Sequence, residues 1–105
     1  MKFASWITYG GDAAKVAELR PQHRAYLARL LAQEQLVLAG PFADGTGGLF
    51  VYEAPDEAVA MRLVGEDPFF TGGVFAQVQM KPWNAVFCNA DALQAPLACA
   101  AMASS

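Results

Sequence analysis

A chain of 105 residues, 55% of them hydrophobic, has the size and apolar content of a single domain with one core. The net charge of -3, with seven basic residues that form no cluster, argues against a nucleic-acid partner, which would need a basic stripe. No apolar run is long enough for a signal peptide or a membrane span, so we expect a cytoplasmic protein with no membrane partner.

The first predicted strand covers Lys2 to Tyr9, where aromatic and β-branched residues stop at two glycines. Asp12 can cap a weakly helical turn after it, and Pro21 should interrupt that turn, since proline suits the start of a helix but not its interior. A helix is predicted to restart at Pro21 and run to Gln35. Four residues of this helix recur at the spacing of one face: His23, Leu27, Leu30 and Leu31.

The middle of the chain predicts a hairpin. A second strand over residues 36–39 should end at Gly40-Pro41, because proline bars a central strand from continuing. Turn-forming residues fill positions 43–48, and a third strand follows over residues 49–52.

The last third of the domain predicts a helix and a strand. Pro55 fits the first position of a second helix that runs to about Glu66 and must end at Asp67-Pro68. Residues 69–73 are predicted as a connection. The clearest strand of the chain follows from Val74 to Lys81, because apolar residues alternate with polar or aromatic ones.

This order of elements predicts an α+β fold of the ferredoxin-like βαββαβ type, a four-stranded antiparallel sheet with two helices on one face. The strands carry apolar residues in both phases, as with Phe3 and Trp6, so the open face of the sheet should pack against a second copy in a homodimer. We assign residues 1–87 to the domain and residues 88–105 to a C-terminal tail that is helical, docked on the partner or frayed. Cys88 and Cys99 of the tail are interpreted as reduced thiols.

Several short motifs occur in a characteristic order in this sequence: Arg20-Pro21-x-His23, Gly40-Pro41, Asp67-Pro68-Phe69, Gly72-Gly73-Val74 and Lys81-Pro82. In this set, over roughly residues 1–87, the chain resembles the YciI-like (YCII-related) family of small dimeric α+β-barrel proteins. The resemblance implies a dimer whose cleft holds a histidine and an aspartate, here His23 and Asp67. One known activity of the family is dehydrochlorination of a chlorinated hydroxyquinol in aromatic catabolism, and related barrels include muconolactone isomerase.

His23 and Asp67 are therefore the candidate catalytic residues. With Pro21 at the first helical position, His23 would lie in the first turn, where the helix dipole disfavours the imidazolium and keeps a neutral base available. Asp67 could accept a hydrogen bond from one ring nitrogen, set the tautomer and stabilise the cation. The alternatives remain open: His23 could be a satisfied core residue or a dimer contact, and Asp67 could only end a helix by bonding nearby backbone.

Four further residues are candidates for binding an aromatic substrate. Arg20 could orient a phenolate or carboxylate oxygen, or be merely a solvated residue at a helix break. Phe42, Phe70 and Trp83 could supply flat apolar walls, or belong to the core. The sequence has a single histidine and no cysteine pair at the spacing of metal ligands, so we predict no zinc site. We predict no other cofactor either. A haem held by the single histidine as axial ligand is open only by analogy with other barrels of this shape.

The resulting prediction is a cofactor-independent lyase, such as a dehydrochlorinase, or an isomerase. It would use histidine acid/base chemistry on a hydroxylated aromatic, with or without a chlorine substituent, or on a lactone. One alternative is a non-catalytic dimeric domain that binds a small ligand or regulates through it, and another is a purely structural interaction module.

Overall fold

The computed structural model describes residues 1–93. The predicted strand and helix order is confirmed, with two short helices in addition. The elements are β1 (Lys2–Tyr9), α1 (Ala13–Ala32), β2 (Leu36–Pro41), β3 (Gly47–Glu53), α2 (Glu57–Gly65), α3 (Pro68–Thr71), β4 (Phe75–Trp83) and α4 (Ala90–Leu93). Cys99 and the rest of the predicted tail beyond residue 93 lie outside the described residues.

The four strands form one antiparallel sheet in the order β2-β3-β1-β4. Because side chains alternate between the two faces of a strand, the register decides which residues share a face. Phe3 of β1 lies opposite Tyr52 of β3 and Pro82 of β4, and this face packs against α1 and α2. The fold is therefore the predicted ferredoxin-like α+β arrangement.

The core lies between this face of the sheet and the helices. Leu30 of α1 and Val64 of α2 pack in one cluster with Ile7 of β1, which is fully buried. Burying an apolar side chain of this size stabilises a fold by roughly 1.5–3 kcal/mol. One polar contact crosses the core: the Tyr26 hydroxyl donates to the Leu63 carbonyl at 2.6 Å. That carbonyl is one of the last four of α2, which lack a partner within their own helix.

The first helix is continuous through Pro21, so the predicted break and restart at this residue was wrong. An interior proline costs a helix about 3 kcal/mol, partly because the carbonyl four residues earlier loses its donor. Pro21 and Ala17, which carries that carbonyl, are both exposed, so water can replace the missing donor. The buried face also differs from the prediction: Tyr26 joins His23 on it, whereas Leu31 is 54% exposed.

The predicted hairpin of β2 and β3 is confirmed, although β2 continues to Pro41 instead of ending at Ala39. The reason is that β2 is an edge strand, where proline is tolerated because its missing N–H can face away from the sheet. At the start of β3, a Cβ on Gly47 would lie 1.9 Å from the carbonyl oxygen of Ile7. Only glycine therefore allows the hairpin to approach β1 this closely.

Two prolines near helix starts take positions other than those predicted. The first turn of α2 is capped by Asp56, whose side chain accepts a hydrogen bond from the Val59 N–H at 2.9 Å, so Pro55 precedes the cap. Pro68 occupies the start of α3, a short helix within the segment that was predicted to be a connection. The turn at Asp67 thus ends α2 and begins α3.

The face of the sheet opposite the helical core exposes large apolar side chains. Trp6, Leu49 and Trp83 are 56%, 39% and 41% exposed. The Trp6 ring also contacts the Phe42 ring at a centroid distance of 4.5 Å, which links this face to the hairpin. Within residues 1–93, no helix has the length and apolar content to cross a membrane.

Candidate active site

The only histidine of the chain is paired with a buried carboxylate. His23 lies on the inner face of α1 and is 6% exposed, and Asp67, between α2 and α3, is fully buried. His23 Nδ1 lies 2.7 Å from Asp67 Oδ1, although the two residues are 44 positions apart in the sequence. The fold thus brings the two candidate catalytic residues into direct contact.

The carboxylate of Asp67 also bonds the backbone. Its Oδ1 accepts a hydrogen bond from the Phe69 N–H at 2.8 Å, which caps α3, while Oδ2 has no hydrogen-bond partner among the described residues. The sequence left open whether the Asp67 carboxylate bonds nearby backbone or the imidazole. In the structure its Oδ1 makes both contacts. If Nδ1 of His23 donates to Asp67 Oδ1, the imidazole is held in the tautomer that leaves Nε2 for proton exchange.

Three phenylalanine rings hold the imidazole plane. Phe69 stacks on His23 with a centroid distance of 3.8 Å and an interplanar angle of 6°. Phe50 and Phe75 meet the imidazole at steep angles, with centroids 5.8 and 6.3 Å away. The backbone bond of Asp67 to Phe69 therefore positions both the carboxylate and the ring that stacks on the imidazole.

The predicted effect of the helix dipole on His23 does not apply. Because α1 begins at Ala13, His23 lies well inside the helix, and the dipole acts mainly on groups in the first and last turns. The local environment of the imidazole is instead set by Asp67 and the aromatic rings.

A cavity of about 570 Å³ opens between α1 and the β2–β3 hairpin. His23 forms part of its wall, together with Arg20 and Phe42 from the predicted substrate-binding set. Residues 39–43 of the hairpin supply the wall opposite α1. This volume falls within the range of small-molecule sites.

The other two predicted substrate-binding residues lie away from this cavity in the described chain. Phe70 is 46% exposed on α3, where the turn of the helix directs its neighbour Phe69 inward instead. Trp83 pairs with Lys2 at the end of β4, so it lies on the open face of the sheet. Phe69, and not the candidate Phe70, therefore supplies an aromatic wall of this cavity.

Several cavity residues were not among the candidates. Arg24 lies four residues after Arg20 on α1, so the two side chains share one face of the helix and both line the cavity. This spacing could have been read from the sequence. Tyr9 at the end of β1 also lines the cavity. Burial raises the pKa of Tyr9 to about 12, the Asp67 charge adds to the rise, and the Arg20 and Arg24 charges oppose it. The Tyr9 hydroxyl is thus a neutral hydrogen-bond donor at physiological pH.

Residues 1–93 contain no group of three or more histidine, cysteine, aspartate or glutamate side chains placed to hold a metal ion. The site consists of a hydrogen-bonded imidazole and carboxylate beside a cavity lined by two arginines.

Comparisons with known proteins identify the family and match the fold. The YCII-related domain family matches residues 1–84, and the chain belongs to that family. Uncharacterized protein YjpA of Bacillus subtilis (strain 168) is 36% identical over 62 residues, which are 59% of this chain and 72% of YjpA. Protein YciI of Escherichia coli O6:H1 is 29% identical over 96 residues, covering 78% of this chain and 98% of YciI.

Two solved enzymes share the fold. The 5-chloro-2-hydroxyhydroquinone dehydrochlorinase TftG from Burkholderia phenoliruptrix AC1100, in complex with 2,5-dihydroxybenzoquinone, matches with a TM-score of 0.71 at 24% identity. The match covers 80% of this chain and 94% of TftG. Muconolactone isomerase matches with a TM-score of 0.64 at 16% identity, covering 82% of this chain and 91% of its own. These likenesses establish the α+β fold of the dimeric α+β-barrel proteins.

Proposed function

We propose that this protein is a cofactor-independent lyase or isomerase that uses His23 as a general acid/base on a hydroxylated, chlorinated aromatic compound. The observation that carries the proposal is the 2.7 Å contact between His23 and the buried Asp67 at the wall of a cavity of small-molecule size. A core histidine would also need a hydrogen-bond partner, so the position of His23 on the cavity wall is what favours a catalytic role. The enzymatic activities named for the two structural relatives support this reaction class.

The dyad can move protons in both directions. Asp67 accepts the hydrogen bond from Nδ1, which leaves the lone pair of Nε2 to take a proton from a substrate hydroxyl. The imidazolium that forms is stabilised by the carboxylate, and it can return the proton to a ring carbon. General acid/base catalysis by one such side chain accelerates a reaction by about 10²–10⁴-fold.

For a chlorinated hydroxyquinol, these two transfers account for loss of HCl. His23 would move a hydroxyl proton to the chlorinated carbon, which gives a keto tautomer with a tetrahedral C–Cl centre. A second hydroxyl would then lose its proton as chloride leaves with the bonding electron pair, and the product is a hydroxyquinone. Two hydroxyls become carbonyls while C–Cl becomes C–H, so the step needs no external oxidant.

The proposal includes a homodimer formed through the open face of the sheet. Trp6, Leu49 and Trp83 expose apolar surface there, and such patches on a sheet face are typical of subunit contacts. Phe42 contacts Trp6 and also lines the cavity, so the interface would support the wall of the site. Sedimentation equilibrium should give the mass of two chains, and the mass of one chain would contradict the dimer.

The test is a chloride-release assay on a chlorinated hydroxyquinol, with a lactone panel for isomerase activity. We expect His23→Asn, whose amide can still donate to Asp67, to lower kcat by about 10²–10⁴-fold while circular dichroism stays native. Gln22→Ala, an exposed change on the same helix, serves as the control and should retain full activity.

Two results would contradict the enzyme. One is a fully active His23→Asn variant. The other is a wild-type protein that binds these compounds, as shown by shifts of the single imidazole NMR signal, but turns over none of them. The second result would instead support the non-catalytic ligand-binding alternative.

A further inference from the structure

The charged side chains that line the cavity are basic, although the chain as a whole is acidic. The cavity lining includes Arg20 and Arg24 but no aspartate or glutamate from residues 1–93, although the chain has ten acidic residues and a net charge of -3. The nearby carboxylate of Asp67 is fully buried and is bonded to His23. The charged side chains among the described residues that line this cavity are therefore arginines.

Arg20 carries most of this argument. Its side chain is partly buried at the cavity wall, and it forms no ion pair with any described residue. A guanidinium offers a fixed fork of donors that matches two oxygens in one plane. Tyr9, which shares this cavity and the groove beside it with Arg20, adds a neutral hydroxyl donor nearby.

The spacing between Arg20 and His23 suits a single ring. Residues three apart on a helix have Cβ atoms about 5–6 Å apart, which is comparable to the width of a substituted six-membered ring. Phe42, Phe50 and Phe69 supply apolar and aromatic surface around the same space. A ring packed there can present one substituent to the guanidinium and another to the imidazole.

From these contacts we infer that the cavity selects ring compounds that carry a planar two-oxygen anion, with Arg20 as the anion-binding residue. A ring carboxylate has this chemistry, and a deprotonated hydroxyquinone presents a charged oxygen beside a carbonyl oxygen in the plane of the ring. The inference rests on the proposed function and adds that the site binds the anionic hydroxyquinone product, or a ring carboxylate, more tightly than a neutral ring.

The test is binding to three related rings: neutral hydroquinone, 2,5-dihydroxybenzoate and 2,5-dihydroxybenzoquinone. The readout is Kd from the shift of the single imidazole NMR signal. We expect wild-type protein to bind at least one of the two anions about tenfold or more tightly than hydroquinone, because charge-assisted hydrogen bonds are the stronger kind. Which anion binds shows whether a carboxylate or a hydroxyquinone is the source of the charge.

The variants separate charge from shape. Arg20→Gln should remove most of the preference for the anion over hydroquinone, whereas Arg20→Lys should keep part of it. Arg62→Gln, which removes the same charge from the exposed surface of α2, should change neither affinity. Equal affinities in the wild type, or a full preference retained in Arg20→Gln, would overturn the inference.

Failure of the inference is distinguishable from failure of the proposed function. Chloride release from a neutral hydroxyquinol without any preference for anions would overturn only the inference. Anion binding that depends on Arg20, without turnover of any compound, would overturn only the catalytic proposal.

Discussion

Above pH 10 the folded protein is expected to lose stability steeply, because its three tyrosines hold their protons more tightly in the fold than in the unfolded chain. Burial raises the pKa of Tyr9 and of Tyr26 to about 12, from an ordinary value of 10.0. Burial, with the nearby Asp67 charge, also raises the pKa of Tyr52. Unfolded tyrosines release protons first, so their contribution to stability is complete below pH 10 and falls as the pH rises towards 12 and beyond.

The measurement is a paired titration of tyrosinate absorbance and circular dichroism. Between pH 10 and about 12, tyrosinate absorbance should rise only together with loss of the native circular dichroism, because the folded Tyr9 and Tyr26 phenols keep their protons over most of this range. A tyrosinate signal that rises near pH 10 while circular dichroism stays native would contradict the prediction.

Two phenylalanine variants sharpen this experiment. The Tyr52 hydroxyl is buried with no hydrogen-bond partner among the described residues, so Tyr52→Phe should leave neutral-pH stability unchanged or slightly raised and make the alkaline loss shallower. Tyr26→Phe should instead lower stability at neutral pH by about 1 kcal/mol, because it removes the 2.6 Å bond to the Leu63 carbonyl.

Replacing Asp67 by alanine is expected to destabilise the fold by about 3–5 kcal/mol, the range for removing one partner of a buried ion or hydrogen-bonded pair. The substitution removes the acceptor for His23 Nδ1 and the cap of α3 together, and both bonds go to the same oxygen. Urea unfolding of the wild type and the variant measures the difference.

Asp56→Ala is the matched control for the Asp67 variant. Asp56 caps α2 in the same way, through the Val59 N–H, but it is exposed and contacts no histidine. Removing this cap should lower the free energy of unfolding by about 1 kcal/mol. If the two variants were equally destabilised, the pairing of Asp67 with His23 would contribute nothing to the fold.

The same carboxylate is therefore expected to serve both the fold and the proposed chemistry. Asp67→Asn can still accept the Phe69 N–H and the His23 donor, so it should be less destabilised than Asp67→Ala. It lacks the negative charge that would stabilise the imidazolium, so the proposed activity should fall even though the variant remains folded. A variant of this kind separates the structural role of Asp67 from the catalytic role.

Much of the fold could be predicted from the sequence because strands and helices have local signals. Side-chain alternation and turn residues identified all four strands and the hairpin between β2 and β3. The errors arose where tertiary context overrides a local preference. Pro21 is tolerated inside α1 because the carbonyl that it deprives of a donor lies on an exposed turn, and Pro41 is tolerated in β2 because that strand is at the sheet edge.

The order of elements in the sequence by itself determined the α+β class, and the resemblance of its motifs to the YCII-related family gave the two candidate residues His23 and Asp67. Only the tertiary structure decided that these two side chains touch, because a distance across 44 residues depends on how the α2–α3 turn packs against α1. It also decided that Phe69 and not Phe70 faces the imidazole, since one residue along a helix turns a side chain by about 100°. Local patterns specify which face a residue occupies, whereas contacts between distant faces are set by packing of the whole chain.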